Sequence, residues 1–148
     1  MDIKLSVSEE HYAQLEQLLI SLGFTISDDA DFILQERARG ISFLNARRGG
    51  EVCRIRTEEI VCIESFGKAV VLRTMDGEYE ISERLKELEA LLDADKFMRI
   101  SNSVIIAKNS VTKIKPTFST KFILTLKNGV SVDVTRSYYY KFREAYGI

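Results

Sequence analysis

The spacing of apolar residues changes twice in the first part of the chain. IKLSV alternates as a strand does, and after Ser8 the apolar residues recur three and four positions apart until Gly23, as in a helix. Ser8 is the expected helix cap, and Gly23 the expected stop. FTISDD and FILQERA then predict two short strands around an acidic turn. The pattern therefore predicts a small β-α-β-β unit, whose helical apolar positions are Tyr12, Leu15, Leu18, Leu19 and Leu22.

The middle of the chain predicts hairpins followed by a short helix. ISFLNA and EVCRIR flank the tetrad from Arg47 to Gly50, whose glycines suit a tight turn, and we place a domain boundary at residue 50. IVCIES, AVVLRT and EYEIS predict three more strands, with Asp76-Gly77 as the turn between the last two. A helix starting at Ser82 or Glu83 follows. Its predicted apolar stripe consists of Leu85, Leu88, Leu91 and Leu92.

The end of the chain returns to strands and closes with an aromatic helix. MRI, SVIIA, VTKIK, KFILTL and VSVDVT are strand-like, and Asn128-Gly129 predicts a hairpin between the last two. Ser137 is the expected cap of the final helix. Many short strands with few helices and no regular β-α alternation predict a mainly β (α+β) protein with an antiparallel sheet. A parallel doubly wound sheet is not expected.

Composition fits a soluble globular protein. The chain has 148 residues, 45% of them hydrophobic and 29% charged, with one proline, Pro116. It contains neither an apolar run of about 18 residues nor a secretory signal, so we expect a cytoplasmic protein without membrane insertion. Cys53 and Cys62 lack partners at zinc-ligand spacing, so we expect reduced thiols on buried strand faces and no metal.

Signals for catalysis are sparse. His11 is the only histidine, and no nucleophile motif accompanies it. Gly49-Gly50 lacks the rest of a phosphate-binding loop. Asp28, Asp29 and Asp31 lack calcium-loop spacing and are expected to form a solvated turn. We therefore predict no enzyme and no cofactor.

Charge is distributed unevenly along the chain. Residues 96–148 contain ten Lys or Arg and two acids, a net charge of +8, whereas residues 1–95 carry −9. A polyanion partner explains this asymmetry, because each base set against a phosphate releases condensed counterions. A solvated basic face without a partner is the alternative.

Basic and amide side chains interleave with apolar ones between Phe97 and Lys115, and this suits a surface that faces phosphates. Asn can pair with an adenine edge and Arg with a guanine edge. From chemistry alone, Asn102 is a base contact or a turn-former, and Arg136 a phosphate contact or a salt-bridge partner. Lys68 lies in a third exposed loop. The same pattern is expected to bury Ile100, Val104, Ile106, Val111 and Ile114.

Four segments that contain these features resemble a known family. IVCIESFGKAVVLRT, ISERLKELEALLDADKFMRISNSVII, VTKIK and TLKNGVSVDVTRSYYYKF, in that order, resemble the LytTR DNA-binding family of bacterial transcription regulators. The resemblance covers about residues 51–148, so we predict a small α+β unit over 1–50 and a LytTR-like DNA-binding domain over 51–148.

The resemblance implies a mostly β domain that binds repeat promoter sites on double-stranded DNA, with loops entering successive major grooves. It places base contacts at Lys68 in the first loop, at Asn102 and at Arg136. The expected phosphate contacts are Arg99, Ser101, Ser103, Lys108, Lys113, Lys115 and Ser137. The resemblance implies departures at three positions: the family usually has His or another polar residue near Val70 and at Ser101, and Asn at the position of Ala107. Direct readout at the first loop is therefore expected either to be weaker or to shift to Lys68.

The first 50 residues do not resemble the phosphoacceptor receiver domain found before many family members. They are too short and offer no strand-end Asp with a partnering Lys. Their acidity and leucine stripe suggest a homodimer contact or a docking site for a regulatory protein. The alternative is that they only extend the DNA-binding domain and have no separate role. For the whole chain, the alternative function is a protein-interaction module that keeps the fold without binding DNA.

Overall fold

The computed structural model describes residues 1–36 and 40–148. The chain divides into two compact units, Met1–Ala38 and Arg39–Ile148. The division falls earlier than the boundary predicted at residue 50. Strand Phe43–Arg48 explains the difference, because it pairs along its whole length with the strand that follows the Gly49-Gly50 turn. Residue 50 therefore lies inside a hairpin of the second unit.

The first unit has the predicted β-α-β-β order. It consists of β1 (Asp2–Ser6), α1 (Glu9–Ser21), β2 (Thr25–Ile26) and β3 (Phe32–Gln35). The sheet order is β2-β1-β3, and both outer strands run parallel to β1. This small sheet is thus an exception to the predicted antiparallel pairing. The helical crossover from β1 to β2 is the connection that a parallel pair requires.

Ser8 occupies the cap position of α1, but its side chain does not cap the helix. Its hydroxyl donates instead to Glu36 Oε1 at 3.2 Å, and His11 Nδ1 lies 2.5 Å from the same oxygen. The hydrogen bond with His11 lowers the pKa of Glu36. These contacts fasten the end of β3 to the first turn of α1.

The second unit contains one large antiparallel sheet in the order β5-β4-β8-β7-β6-β10-β9. Its inner face and α2 (Leu85–Leu91) enclose a core that includes Leu44, Ile63, Leu72 and Leu88. The helix begins later than predicted, because Arg84 is still extended and takes the cap position. The strands are β4 (Phe43–Arg48), β5 (Glu51–Arg56), β6 (Cys62–Phe66), β7 (Ala69–Thr74), β8 (Gly77–Ile81), β9 (Phe97–Arg99) and β10 (Val104–Ala107).

A three-stranded antiparallel sheet, β11 (Val111–Pro116), β12 (Phe122–Leu126) and β13 (Ser131–Val134), follows. With α3 (Tyr139–Tyr146) it forms a second core against the outer face of β6, β9 and β10. Ser137 does not cap α3: it lies in a 3-10 turn from Arg136 to Tyr138, and Tyr138 precedes the helix.

Two of the predicted turns show how register decides loop length. Asn128-Gly129 closes the β12–β13 hairpin as predicted, with Gly129 at φ 83°. In the β7–β8 hairpin, Thr74 pairs with Gly77, so the two-residue loop is Met75-Asp76 and Gly77 already belongs to β8. The Asp76-Gly77 prediction was therefore displaced by one residue.

Both cysteines are free thiols in strands, as predicted. Cys62 is fully buried, and this burial raises the pKa of its thiol, whereas Cys53 is only partly buried. At the end of the chain, the Tyr146 hydroxyl donates to the Lys108 carbonyl at 2.7 Å, and burial raises the pKa of Tyr146 to about 12. That bond anchors α3 to the segment between β10 and β11.

We predict that Phe142→Ala destabilises the protein far more than Tyr140→Ala, although both residues lie in α3. Phe142 is 0% exposed and stacks on Tyr146 at 4.5 Å between ring centroids, whereas Tyr140 is 71% exposed. Removing the buried ring leaves a cavity and should cost about 3–5 kcal/mol in the free energy of unfolding. The exposed truncation should cost under about 0.5 kcal/mol. Urea denaturation followed by circular dichroism measures both; equal losses would contradict this account of the second core.

Candidate nucleic-acid interface

The residues predicted to contact bases lie along one surface of the second unit, which is formed by two open grooves. Lys68 and Asn102 line the first groove, and Asn102 and Arg136 line the second. Because Asn102 borders both, the three loops form one continuous surface, which we call the loop surface. Asn102 is 34 residues from Lys68 and 34 from Arg136 along the chain, so the sequence alone does not show that the three lie close together.

The first groove lies where β6 turns into β7 and β8 runs into α2. Gly67 is at φ 60°, which permits the tight turn and leaves Lys68 exposed at its tip. The Ser65 amide donates to the Ser103 carbonyl at 2.8 Å, so this turn is tied to the loop that carries Asn102. Arg84 and Lys86 also line the groove. Neither was among the predicted contacts, because on the sequence they belong to a leucine-rich helix.

Val70 and Ala107, the positions where the resemblance implies a departure from the family, are both buried in the core. Lys68 is exposed two residues before Val70. Lys68 therefore offers an exposed polar group beside the buried Val70, and a shift of readout to Lys68 stays a prediction.

The loop between β9 and β10 is held by the guanidinium of Arg99. Its Nε donates to the Ser101 carbonyl at 3.0 Å, and its Nη2 to the Asn102 carbonyl at 2.7 Å. The remaining Nη1 forms an ion pair with Glu89 at 3.0 Å. The Arg99 side chain is only 16% exposed. Arg99 therefore positions the Asn102 loop through these bonds. Because its side chain also lines the first groove, the predicted phosphate contact at Arg99 stays a prediction.

Ser101 also acts inside the loop. It is buried, and its hydroxyl accepts a hydrogen bond from the Ser103 amide at 3.2 Å. This arrangement stabilises the turn that exposes Asn102. Ser101 and Ser103 both line the second groove, and the phosphate contacts predicted for them stay predictions.

The second groove begins where β13 ends. The Thr135 amide donates to the Ile100 carbonyl at 3.0 Å, which fixes the exit of β13 beside the Asn102 loop. Arg136 and Ser137 follow in the 3-10 turn, and both are exposed. Lys121 lines the same groove and was not predicted. Pairing of β12 with both neighbours brings it there, and this is a property of the sheet rather than of any local motif.

One acidic side chain at the second groove is neutralised internally. Glu64 borders the groove, and its carboxylate accepts a hydrogen bond from Arg73 Nη1 at 2.6 Å. Arg73 also pairs with Glu78 at 3.0 Å. Burial alone would lower the pKa of Arg73, but the hydrogen bonds to these two carboxylates raise it, so the guanidinium stays charged. Glu64 therefore repels an anionic ligand less than a free carboxylate would.

The other predicted lysines are distributed unevenly. Lys113 and Lys115 are exposed on β11, and Lys115 lies next to the end of the sheet that carries Lys121. Lys108 follows the last residue of β10, whereas Asn102 precedes its first, so the strand separates them. The structure therefore does not bring Lys108 to the loop surface.

Within the described residues, no group of three or more His, Cys, Asp or Glu side chains is arranged to hold a metal ion. None of the described helices combines the length and the apolar character needed to cross a membrane.

Comparison with known proteins identifies the domain. The family described as "LytTr DNA-binding domain" matches residues 50–147. The chain belongs to this LytTr family. A solved LytTr DNA-binding domain from Bacillus cereus superposes with a TM-score of 0.70 at 26% identity, covering 74% of this chain and all of that one. The mainly β, antiparallel fold predicted for the LytTr domain is thereby confirmed.

Curated relatives contain the same domain within longer chains. The sensory transduction protein LytT of Bacillus cereus is 33% identical over 84 residues, which are 57% of this chain and 34% of that protein. The transcriptional regulatory protein LytR of Staphylococcus aureus is 27% identical over 94 residues, 64% of this chain and 38% of that protein. The chain thus spans little more than a third of the length of these relatives.

We predict that Arg99→Lys loosens the Asn102 loop as Arg99→Ala does. Lysine keeps the positive charge but lacks the planar fork that holds two carbonyls and a carboxylate at once. Amide hydrogen exchange of residues 101–103 should accelerate about tenfold or more in both variants, because the loop loses charge-assisted hydrogen bonds worth roughly 1.5–3 kcal/mol. If Lys restores wild-type exchange, charge alone acts at this position and the positioning role is refuted.

Proposed function

We propose that this LytTr protein is a sequence-specific, non-enzymatic transcription regulator that recognises repeat promoter sites on double-stranded DNA through loops in the major groove. The observation that carries the proposal is the loop surface, which gathers Lys68, Asn102 and Arg136 from three separate parts of the chain. Its relatives include a protein named transcriptional regulatory protein LytR.

The three side chains differ in what they can read. The exposed amide of Asn102 can donate to and accept from an adenine edge, and Arg136 can donate twice to a guanine edge. Lys68 can donate to guanine acceptors from the tip of its turn. Rigid presentation favours such contacts, since a side chain fixed in advance loses less entropy on binding. Arg99 and the Thr135–Ile100 hydrogen bond supply that rigidity.

We propose that contacts to the DNA phosphate backbone surround these three positions. Arg84 and Lys86 beside the first groove, and Lys121 beside the second, are placed to approach phosphates, and Lys113 and Lys115 extend the basic surface along β11. Ser103 and Ser137 can donate to phosphate oxygens from the second groove. Each neutralised phosphate releases counterions, which favours binding and makes it sensitive to salt. This function requires no cofactor and would act on chromosomal DNA in the bacterial cytoplasm.

The first unit is proposed as the contact between two copies of the chain. β3 lies at the edge of its sheet, and Phe32, Ile33 and Leu34 are all exposed. Phe32–Gln35 has no proline or charge to discourage pairing. Two β3 strands related by a twofold axis could pair edge to edge and bury these residues. A homodimer joined in this way would present two loop surfaces to a repeated site.

We predict that Arg136→Ala and Asn102→Ala flatten sequence preference, whereas Lys121→Ala weakens binding to all sequences. Losing a base contact should cost about 1–3 kcal/mol on the preferred fragment only. Losing a phosphate contact should make the plot of log affinity against log salt shallower by about one unit. Selection of fragments from a random DNA pool, followed by fluorescence anisotropy at several salt concentrations, measures both effects.

Lys127→Ala is the matched control for Lys121→Ala. Lys127 is an exposed lysine just after the opposite end of β12, and it should change affinity and salt dependence little. Lys108→Ala should resemble this control. If the wild-type protein enriches no fragment at moderate salt, the DNA-binding proposal is wrong and the alternative of a protein-interaction module takes its place.

We predict that Ile33→Lys converts a dimer into a monomer without unfolding the first unit. Ile33 is 58% exposed at the edge strand, so lysine is tolerated in the monomer but would be buried opposite another copy. Analytical ultracentrifugation at micromolar concentration measures the change. Val52→Lys, at an exposed valine of the second unit, is the control and should remain dimeric. A monomeric wild-type protein would refute the homodimer and leave the other two predictions for the first unit, a docking site for a regulatory protein or no separate role.

A further inference from the structure

One aromatic side chain stands apart from every core of the protein. Phe118 is 112% exposed, more than any other large apolar residue among those the structure describes. The next most exposed, Met1 and Tyr140, reach 71%. Phe118 sits at the tip of the β11–β12 hairpin, between Thr117 and Ser119. The Phe118 ring belongs to neither hydrophobic core, so at the hairpin tip it is free to contact a ligand.

The hairpin tip is fastened rather than loose. The Thr117 amide and hydroxyl each donate to the Lys121 carbonyl at 3.0 Å. Thr120 is at φ 56°, the sole non-glycine residue with positive φ in the described chain. A β-branched residue is strained in this region, and such strain is concentrated at functional sites. The backbone thus accepts strain while presenting Phe118 in a defined place.

Topology puts Phe118 beside the loop surface. Pro116, Phe122 and Val134 are aligned across β11, β12 and β13, so the hairpin tip and the chain leaving β13 toward Arg136 emerge at the same end of this sheet. Lys121, three residues after Phe118, already lines the second groove with Arg136. Lys115 and Lys121 flank the tip with positive charge, which matches a phosphate backbone on either side of a DNA groove.

We propose that Phe118 enters the major groove next to the base read by Arg136 and packs against the C5-methyl group of a thymine. This inference rests on the proposed DNA-binding function and adds an apolar specificity contact to it. The thymine methyl is the apolar group that the major groove offers, and Phe is a side chain suited to it. The flanking lysines would hold the adjacent phosphates while the ring reads the methyl.

The test uses the 148-residue chain and the DNA fragment that it enriches from a random pool. Affinity is measured by anisotropy for wild type, Phe118→Ala and Phe118→Leu, on the enriched fragment and on an unrelated one, at several salt concentrations. Each thymine of the enriched fragment is then replaced in turn by deoxyuridine, which removes only the methyl group. Phe43→Ala, at an exposed phenylalanine of the β4–β5 hairpin, is the matched control.

The proposal expects Phe118→Ala to bind the enriched fragment about tenfold more weakly, with unchanged affinity for the unrelated fragment and an unchanged salt slope. Phe118→Leu should lose less. One thymine-to-deoxyuridine change should weaken wild type several-fold and leave Phe118→Ala unaffected. Phe43→Ala should behave as wild type.

Four results would overturn the inference. If Phe118→Ala binds the enriched fragment as wild type does, the ring makes no contact, although DNA binding itself stands. If it weakens both fragments equally, or if thymines become unstacked and reactive to permanganate only with the wild-type ring, Phe118 stacks on bases instead of reading a methyl. If wild type enriches no fragment, the proposed function fails and this inference falls with it.

Discussion

The loop from Ile100 to Ser103 is the constraint on which the rest of the loop surface depends. Its carbonyls accept hydrogen bonds from three directions: the Thr135 amide at Ile100, the Arg99 guanidinium at Ser101 and Asn102, and the Ser65 amide at Ser103. These donors come from the end of β13, from β9 and from β6. A single short loop therefore sets the relative positions of the segments that carry Lys68, Asn102 and Arg136. These shared backbone partners restrain the loops relative to one another.

Not every basic side chain near this surface is available to a ligand. Arg99 and Arg73 both lie near the grooves, but the guanidinium group of each donates hydrogen bonds to acceptors within the protein. Arg99 orients the loop, and Arg73 neutralises Glu64 at the groove wall. The cations left for a polyanion are those on exposed turns and strand edges, such as Lys68, Lys121 and Lys115. Counting bases along the chain overstates the number available to DNA, because it cannot separate these two groups.

Local chemistry made the elements of the fold predictable. Gly49-Gly50 and Asn128-Gly129 closed hairpins as expected, since positive φ at a turn is a property of one or two residues. Features that depend on distant partners were missed. Ser8 and Ser137 do not cap their helices, because Ser8 binds Glu36 and the chain around Ser137 winds as a 3-10 turn. The parallel pairing of β1 with β2 and β3 likewise follows from a crossover that periodicity does not encode.

The site shows the same division between local and distant causes. Asn102 and Arg136 were found from residue type together with a family resemblance, and both are exposed on the loop surface. Lys121 was not predicted, because the pairing of β11, β12 and β13 brings it to the second groove. Residue type and motif identify candidates one loop at a time. A side chain that a sheet carries to a shared edge is recognised only once strand register is known, and for this reason Lys121, like Arg84 and Lys86 beside the first groove, is assigned to the surface only by the fold.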